Sequence, residues 1–146
     1  MTGAAVPRRS LEKQFRELKV NETLELNDLL FVGGTPYIVP ESFPVLDTLF
    51  GILNENPDLR ICLEGHVCCV DGAGEGYNVP GRQLNLSVAR ALAVRDELVR
   101  RGIADERLCA RGFGHSRPKV SPELTPADEA RNRRVEVRIL SSSGKR

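Results

Sequence analysis

Cysteine and histidine carry the reactive chemistry of this chain, and much of it is crowded into one segment. Cys62, His66, Cys68 and Cys69 fall within eight positions, and Cys109 stands alone further on. Thiolate and imidazole are the ligands zinc prefers in a tetrahedral site. The spacing does not suit an ion: there is no CxxC, and adjacent cysteines seldom both reach one metal. No metal is expected. An even cysteine count permits two disulfides in an oxidising compartment, with small buried thiols as the other reading. His66 and Cys68 are two apart, so on an extended strand they share a face and can meet. An activated thiol also needs an oriented base and a third group behind it, and nothing else in the sequence supports one. There is no GxSxG, no HExxH, no phosphate loop and no dinucleotide fingerprint. The chain is expected to be non-catalytic and to need no cofactor.

Composition narrows the partners. The 146 residues fit one domain, and 40% apolar residues suffice for one core. A net charge of +1 gives no overall bias toward nucleic acid or an anionic membrane. Aromatic residues are 5% and Trp is absent, which argues against a base-stacking binder. No apolar run approaches the roughly 18–20 residues of a membrane-spanning helix. The opening MTGAAVPRRSLEKQ lacks the apolar core of a secretory signal. Either the protein is cytosolic, or these residues are one domain of a longer exported protein.

The elements follow from periodicity. Residues 1–22 are polar, with a helix-like LEKQFRELK, and read as a linker or N-terminal arm. LELNDLLFVGG reads as a strand with a bulge or break at Asn27-Asp28. Leu46, Leu49, Phe50 and Leu53 make an apolar helical stripe that Pro57 ends. DLRICLEGHV is a strand with Ile61, Leu63 and Gly65 on one face and Cys62, Glu64 and His66 on the other. CCVDGAGEGYNVPGRQ is a loop. LNLSVARALAVRDELVRRG is the clearest helix, with Val88, Ala91, Val94 and Leu98 on one side and Gly102 at its end. RLCARGFG is a short strand and SPELTPADEA a polar loop ending in a helical turn. His115 sits in a Gly-Ser loop and is expected to be exposed. RRVEVRIL alternates Val135, Val137 and Ile139 with Arg134, Glu136 and Arg138, a strand with one wet face. The order β-α-β-α-β-(α)-β predicts an α/β (α+β) two-layer sandwich, its helices packed on one face of a four-stranded mixed sheet. The domain spans residues 23–141, and 142–146 form a flexible tail.

GHVCC at 65–69, LSVARA at 86–91, GI at 102–103, ARGFGHSRP at 110–118 and NRRVEV at 132–137 together resemble the OmpA-like C-terminal domain family. That family includes peptidoglycan-associated lipoproteins and the periplasmic part of flagellar stator subunits. The GHVCC form is similar to the Bacteroidetes-type members. The resemblance covers about Leu24 to Leu140 and implies a non-catalytic domain that anchors an outer-membrane or envelope protein to the cell wall. The implied ligand is the diaminopimelate side chain of the peptidoglycan stem peptide, which presents a carboxylate and an ammonium on one carbon. Arg90 matches the family's binding arginine, and Arg133 a second one near the same site. Guanidinium suits the carboxylate because its fork binds in bidentate fashion. Arg90 also lies in the first turns of its helix, where free N–H groups favour an anion and Ser87 or Asn85 is the expected cap.

The chain departs from the family where the ammonium is taken. Thr-Asp usually follows Gly-His, and here those positions hold Val67 and Cys68. A neutral thiol cannot replace a carboxylate, and an unperturbed cysteine is mostly protonated at neutral pH. Gln83 stands where an asparagine is usual. The loop is long, with Cys68 and Arg90 22 positions apart, and it carries Asp71 and Glu75. Asp71 is the candidate for the missing acid, against the plainer reading that Asp71-Gly72 makes a turn. The family fold places Cys62 near Cys109, so that pairing is one option; Cys68 or Cys69 with either of these is another. The implied partners are peptidoglycan and other envelope proteins, with no nucleic acid, as a monomer or weak homodimer. The implied location is the periplasmic side of the outer membrane, given an export signal outside these residues. The alternative is an envelope scaffold of the same fold that has lost the ligand.

Overall fold

The computed structural model describes residues 8–26, 28–69 and 75–141. Its elements run α1 (Arg8–Glu17), β1 (Thr23–Glu25), α2 (Phe43–Glu55), β2 (Arg60–His66), α3 (Leu86–Arg100), β3 (Leu108–Gly112), α4 (Pro126–Asn132) and β4 (Arg134–Ser141). The four strands form one mixed sheet in the order β1-β4-β2-β3. β2 and β3 are parallel, joined through α3, as a parallel pair requires. β4 lies antiparallel to both β2 and β1. This is the expected two-layer α/β sandwich.

The apolar side of the sheet carries Ile61 and Leu63 from β2 and Val135, Val137 and Ile139 from β4, all essentially inaccessible. They share one core with Leu46, Leu49 and Leu53 of α2 and Ala91, Val94 and Leu98 of α3. The segment read as a linker also contributes: Leu11 and Phe15 of α1 are buried in this core. β1 is shorter than the apolar run that suggested it, because the chain turns after Leu26. Leu26 and Leu29 are nonetheless buried, so that run reports burial rather than strand length.

The opposite side of the sheet is not wet, contrary to the alternating pattern of β4. Glu64 and Glu136 face each other across β2 and β4 and are 1% and 6% exposed. Two facing buried carboxylates need cations. Arg138 supplies one, with Nε donating to Glu64 Oε2 at 2.6 Å and Nη2 to Oε1 at 3.1 Å. Arg134 supplies the other, with Nε donating to Glu136 Oε2 at 2.5 Å. The two arginines also reach neighbouring segments, with Arg138 Nη1 donating to the Asn21 carbonyl at 2.6 Å and Arg134 Nη2 to the Arg117 carbonyl at 2.9 Å. The same face carries a Cys62–Cys109 disulfide between register partners of β2 and β3, Cα atoms 4.4 Å apart.

The first turn of α3 lies on the sheet at a pair of glycines. Gly65 and Gly112 are register partners on β2 and β3. A Cβ at Gly65 would stand 2.0 Å from the Ser87 carbonyl oxygen, and one at Gly112 would stand 2.5 Å from the Val88 nitrogen. Only glycine permits that approach, and it fixes where Arg90 begins. The helix ends as its sequence predicts, with Gly102 at φ +116° and Ile103 N–H donating to the Leu98 carbonyl at 3.1 Å.

Candidate functional site

Arg90 and Arg133 are 43 positions apart in sequence, and both line a single cavity of about 270 Å³. Leu29, Leu30, Phe31, Gly33, His66, Arg134 and Val135 complete the lining. The volume is close to the lower end for small-molecule sites and fits the end of one long side chain. A second cavity of about 220 Å³ shares Leu29, Arg133 and Arg134 and adds Glu25, an acid that holds Lys119 Nζ at 2.7 Å.

Arg90 is positioned from both ends. The glycine pair seats its helix, and the 32–37 turn clamps its head. Nε donates to the Thr35 carbonyl at 2.8 Å and Nη2 to the Val32 carbonyl at 3.4 Å. The guanidinium also lies 5.0 Å from the centre of the Phe31 ring, in cation–π range. These bonds use two of five N–H donors and leave the planar head oriented for a carboxylate. At 6% exposure Arg90 is buried. Desolvation, and then the charge of Arg133, bring its pKa down to about 10. It remains a cation at neutral pH, in a cavity already positive.

Arg133 follows α4, whose start is fixed by a capping box: the Thr125 hydroxyl accepts from Asp128 N–H, and the Asp128 carboxylate accepts from Thr125 N–H. Its Nη1 donates to Cys68 Sγ at 3.2 Å. Cys68 is therefore beside an arginine, as its alignment with the family's aspartate implies, but it is not a free thiol. It is bonded to Cys69. The pairings considered from sequence joined Cys68 or Cys69 to a distant cysteine, and the observed bond between neighbours corrects them. With Cys62 and Cys109 joined to each other, no described cysteine is free to bind metal.

The other sequence candidates are scattered. Val67 is buried, donates its N–H to the Gly114 carbonyl at 3.0 Å, and does not line the cavity. Gln83 is exposed and accepts from Asn85 Nδ2 at 3.2 Å, also away from the lining. Asp71 falls outside the described residues. His115 is half-buried rather than exposed, with Nε2 3.2 Å from Glu123.

The N-terminus of α3 is not an open anion site. Leu86 N–H donates to the Gly76 carbonyl and Ser87 N–H to the Glu75 carbonyl. The Glu75 carboxylate accepts from the Ser87 hydroxyl at 2.5 Å and from Val88 N–H at 3.3 Å. Neither Asn85 nor Ser87 caps by side chain; a loop acid does, and it satisfies the helix dipole internally. Its place eleven residues ahead of the helix, in a glycine-rich stretch, gave no sequence signal.

His66 closes one wall of the cavity. It is 3% exposed and stacks on Phe113 with ring centres 5.4 Å apart. Burial, then the charge of Arg134, lowers its pKa to about 4, with Glu136 pulling the other way. The ring is neutral at physiological pH. One nitrogen of His66 and oxygens of Glu64 and Glu136 come within 4.8 Å of one another. Arg134 and Arg138 already balance those carboxylates, so the two acids belong to ion pairs beside a neutral ring and need no dication.

Residues 30–133 match the family model described as OmpA family. The chain is 35% identical over 101 residues to the peptidoglycan-binding protein ArfA of Mycobacterium tuberculosis, covering 68% of this chain and 28% of that protein. It is 33% identical over 113 residues to outer membrane porin F of Pseudomonas fluorescens, covering 77% of this chain and 32% of the porin. The chain thus spans about a third or less of these relatives. Among solved structures, the cell wall anchor of the T6SS from Pseudomonas aeruginosa superposes with a TM-score of 0.69 at 21% identity, over 92% of this chain and 95% of that one. A putative MotB-like protein from Desulfovibrio vulgaris does so with a TM-score of 0.69 at 24% identity, over 90% and 85%. The glycine-seated helix, the mixed sheet and the extent of the sequence match lead to one conclusion: the chain belongs to the OmpA family.

Proposed function

We propose that this domain is a non-catalytic anchor that holds peptidoglycan through the diaminopimelate side chain of the stem peptide. The convergence of Arg90 and Arg133 on one cavity carries this reading. Two forked cations in a partly dry site suit a carboxylate, and Arg90 is held ready for it by the 32–37 turn. The relatives named peptidoglycan-binding protein and cell wall anchor support the same role. In that role the domain works in the cell envelope, on the periplasmic side of the outer membrane, with the wall as its partner. Asp71, two positions after Cys69 in the sequence, is the residue proposed to take the ligand's ammonium.

Calorimetric titration with a diaminopimelate-containing muropeptide tests this. Binding that Arg90→Ala abolishes is the expected result. No heat at millimolar muropeptide would overturn the anchor, and binding unchanged by Asp71→Ala would remove that residue from the site. The disulfide at Cys68, where the family carries its acid, favours a second reading: an envelope scaffold of the same fold without the ligand. That reading gains if muropeptide fails to bind while the domain still associates with envelope proteins.

A further inference from the structure

The two sulfurs of the Cys68–Cys69 bond have unlike surroundings. Cys68 is 9% exposed and accepts from Arg133 Nη1. Cys69 is exposed, with φ +69°. Successive side chains of an extended segment point apart, so joining them requires the backbone to turn. The left-handed residue makes that turn, and Cys69 N–H donating to Glu123 Oε1 at 3.1 Å holds it. Glu123 is itself fixed by Asn132 Nδ2 at 2.6 Å and by His115 at 3.2 Å. A network reaching across the fold therefore leaves Cys69 exposed and holds the Cys68 sulfur against the site arginine.

A disulfide is uncharged. Among the described residues that line the cavity, Arg90, Arg133 and Arg134 are cations and none is an acid. Cys68 is not one of the lining residues; it meets the cavity through Arg133, whose Nη1 it holds. We propose that through this arginine the Cys68–Cys69 bond sets which charges the cavity accepts. Closed, the cavity favours carboxylates over a neighbouring ammonium. Opened by a dithiol reductant, Cys68 becomes a thiolate beside Arg133, offsets that cation and lets the cavity take a ligand that carries an ammonium beside its carboxylate. The proposal rests on the cavity being the wall-ligand site, and it adds one negative charge beside Arg133.

The chemistry balances. A thiolate of the reductant attacks the exposed Cys69 Sγ, the S–S bond breaks, and the electron pair passes to Cys68 Sγ. A leaving thiol leaves faster as its pKa falls, and an adjacent arginine lowers it. The reductant's second thiolate attacks the mixed disulfide and releases Cys69, which takes up a proton. The reductant departs as a disulfide, having given two electrons. Its second proton goes to solvent. The Cys62–Cys109 bond is less accessible, since Cys62 is fully buried and Cys109 is half-buried where Cys69 is exposed.

Two probes separate the charges: diaminopimelate, and pimelate, the same carbon chain without its ammonium groups. Each is titrated by NMR into the whole chain, oxidised and after mild dithiol treatment that frees one cysteine pair by thiol count. Reduction is expected to shift the affinity ratio toward diaminopimelate by about tenfold, the effect of one partly screened charge a few ångströms away. A Cys68→Ser/Cys69→Ser variant is expected to lose this redox dependence. Ultraviolet thiolate absorbance in the reduced chain is expected to appear at lower pH than in Arg133→Gln. Both probes bound with an unchanged ratio would overturn the switch and leave the anchor standing. No binding of either probe or of muropeptide, in either state, would overturn both.

Discussion

His66 is expected to set the acid limit of this fold. Its ring is buried against Phe113, and Arg117 lies 3.9 Å from that ring's centre. Protonating it in place means charging a desolvated group beside Arg134. That is why its pKa falls from 6.5 to about 4. The unfolded chain therefore takes up a proton near pH 6.5 that the folded chain refuses until about pH 4. Stability from the neutral ring is complete above the unfolded value and drains as pH falls through that interval. Two and a half pH units correspond to about 3 kcal/mol, a sizeable part of the roughly 5–15 kcal/mol of a typical domain. The carboxylates of Glu97, Glu123 and Glu136, all held below their usual range, lose their contributions only at lower pH. The upper part of the interval thus belongs to His66. Neither ring nitrogen has a hydrogen-bond partner, so His66→Phe deletes the titration while keeping a ring against Phe113. Urea midpoints measured from about pH 7 to about pH 5 are expected to fall for the native chain and stay level for His66→Phe. Parallel curves would refute the reasoning.

Gly65→Ala is expected to displace α3, because the new methyl lands 2.0 Å from the Ser87 carbonyl oxygen; a loss of about 3 kcal/mol or more in chemical denaturation, with weakened muropeptide binding, is the expected outcome. Arg138→Met strips the buried Glu64 of its cation and is expected to cost about 3 kcal/mol, while Arg138→Met with Glu64→Gln recovers much of it, as a double-mutant cycle in urea would show. Glu75→Ala removes the acceptor for Val88 N–H and the Ser87 hydroxyl and is expected to cost about 1 kcal/mol, read as a lower thermal midpoint. Arg90→Lys keeps the charge but loses the fork that spans Thr35 and Val32, so muropeptide affinity is expected to fall at least about tenfold with little change in overall stability.

Local pattern alone carried the architecture. The stripes of α2 and α3, the strict alternation of β4 and the glycine after α3 each state their structure within a dozen residues, because side-chain direction follows backbone period. The same patterns misjudged what lies beyond one element. Arg134, Glu136 and Arg138 read as a wet face, yet Arg134 pairs with Glu136 and Arg138 reaches across to the buried Glu64 of β2. Leu11 and Phe15, in a charged segment, belong to the core because α2 offers them an apolar surface.

The site divides in the same way. The resemblance to the family named Arg90 and Arg133 and marked Cys68 as the place where an acid is missing. Only the tertiary structure decided that the two arginines share one cavity, that Glu75 closes the helix end, and that Cys68 is bonded to its neighbour. Each of these depends on a contact between distant parts of the chain: Arg133 reaching Cys68, the Thr35 carbonyl meeting Arg90, Glu123 turning the backbone at Cys69. Such contacts form only when the core brings those segments together, and no spacing in the sequence encodes them. The reactive cysteines that stand out in the bare sequence thus acquire their meaning from an arginine 65 positions away.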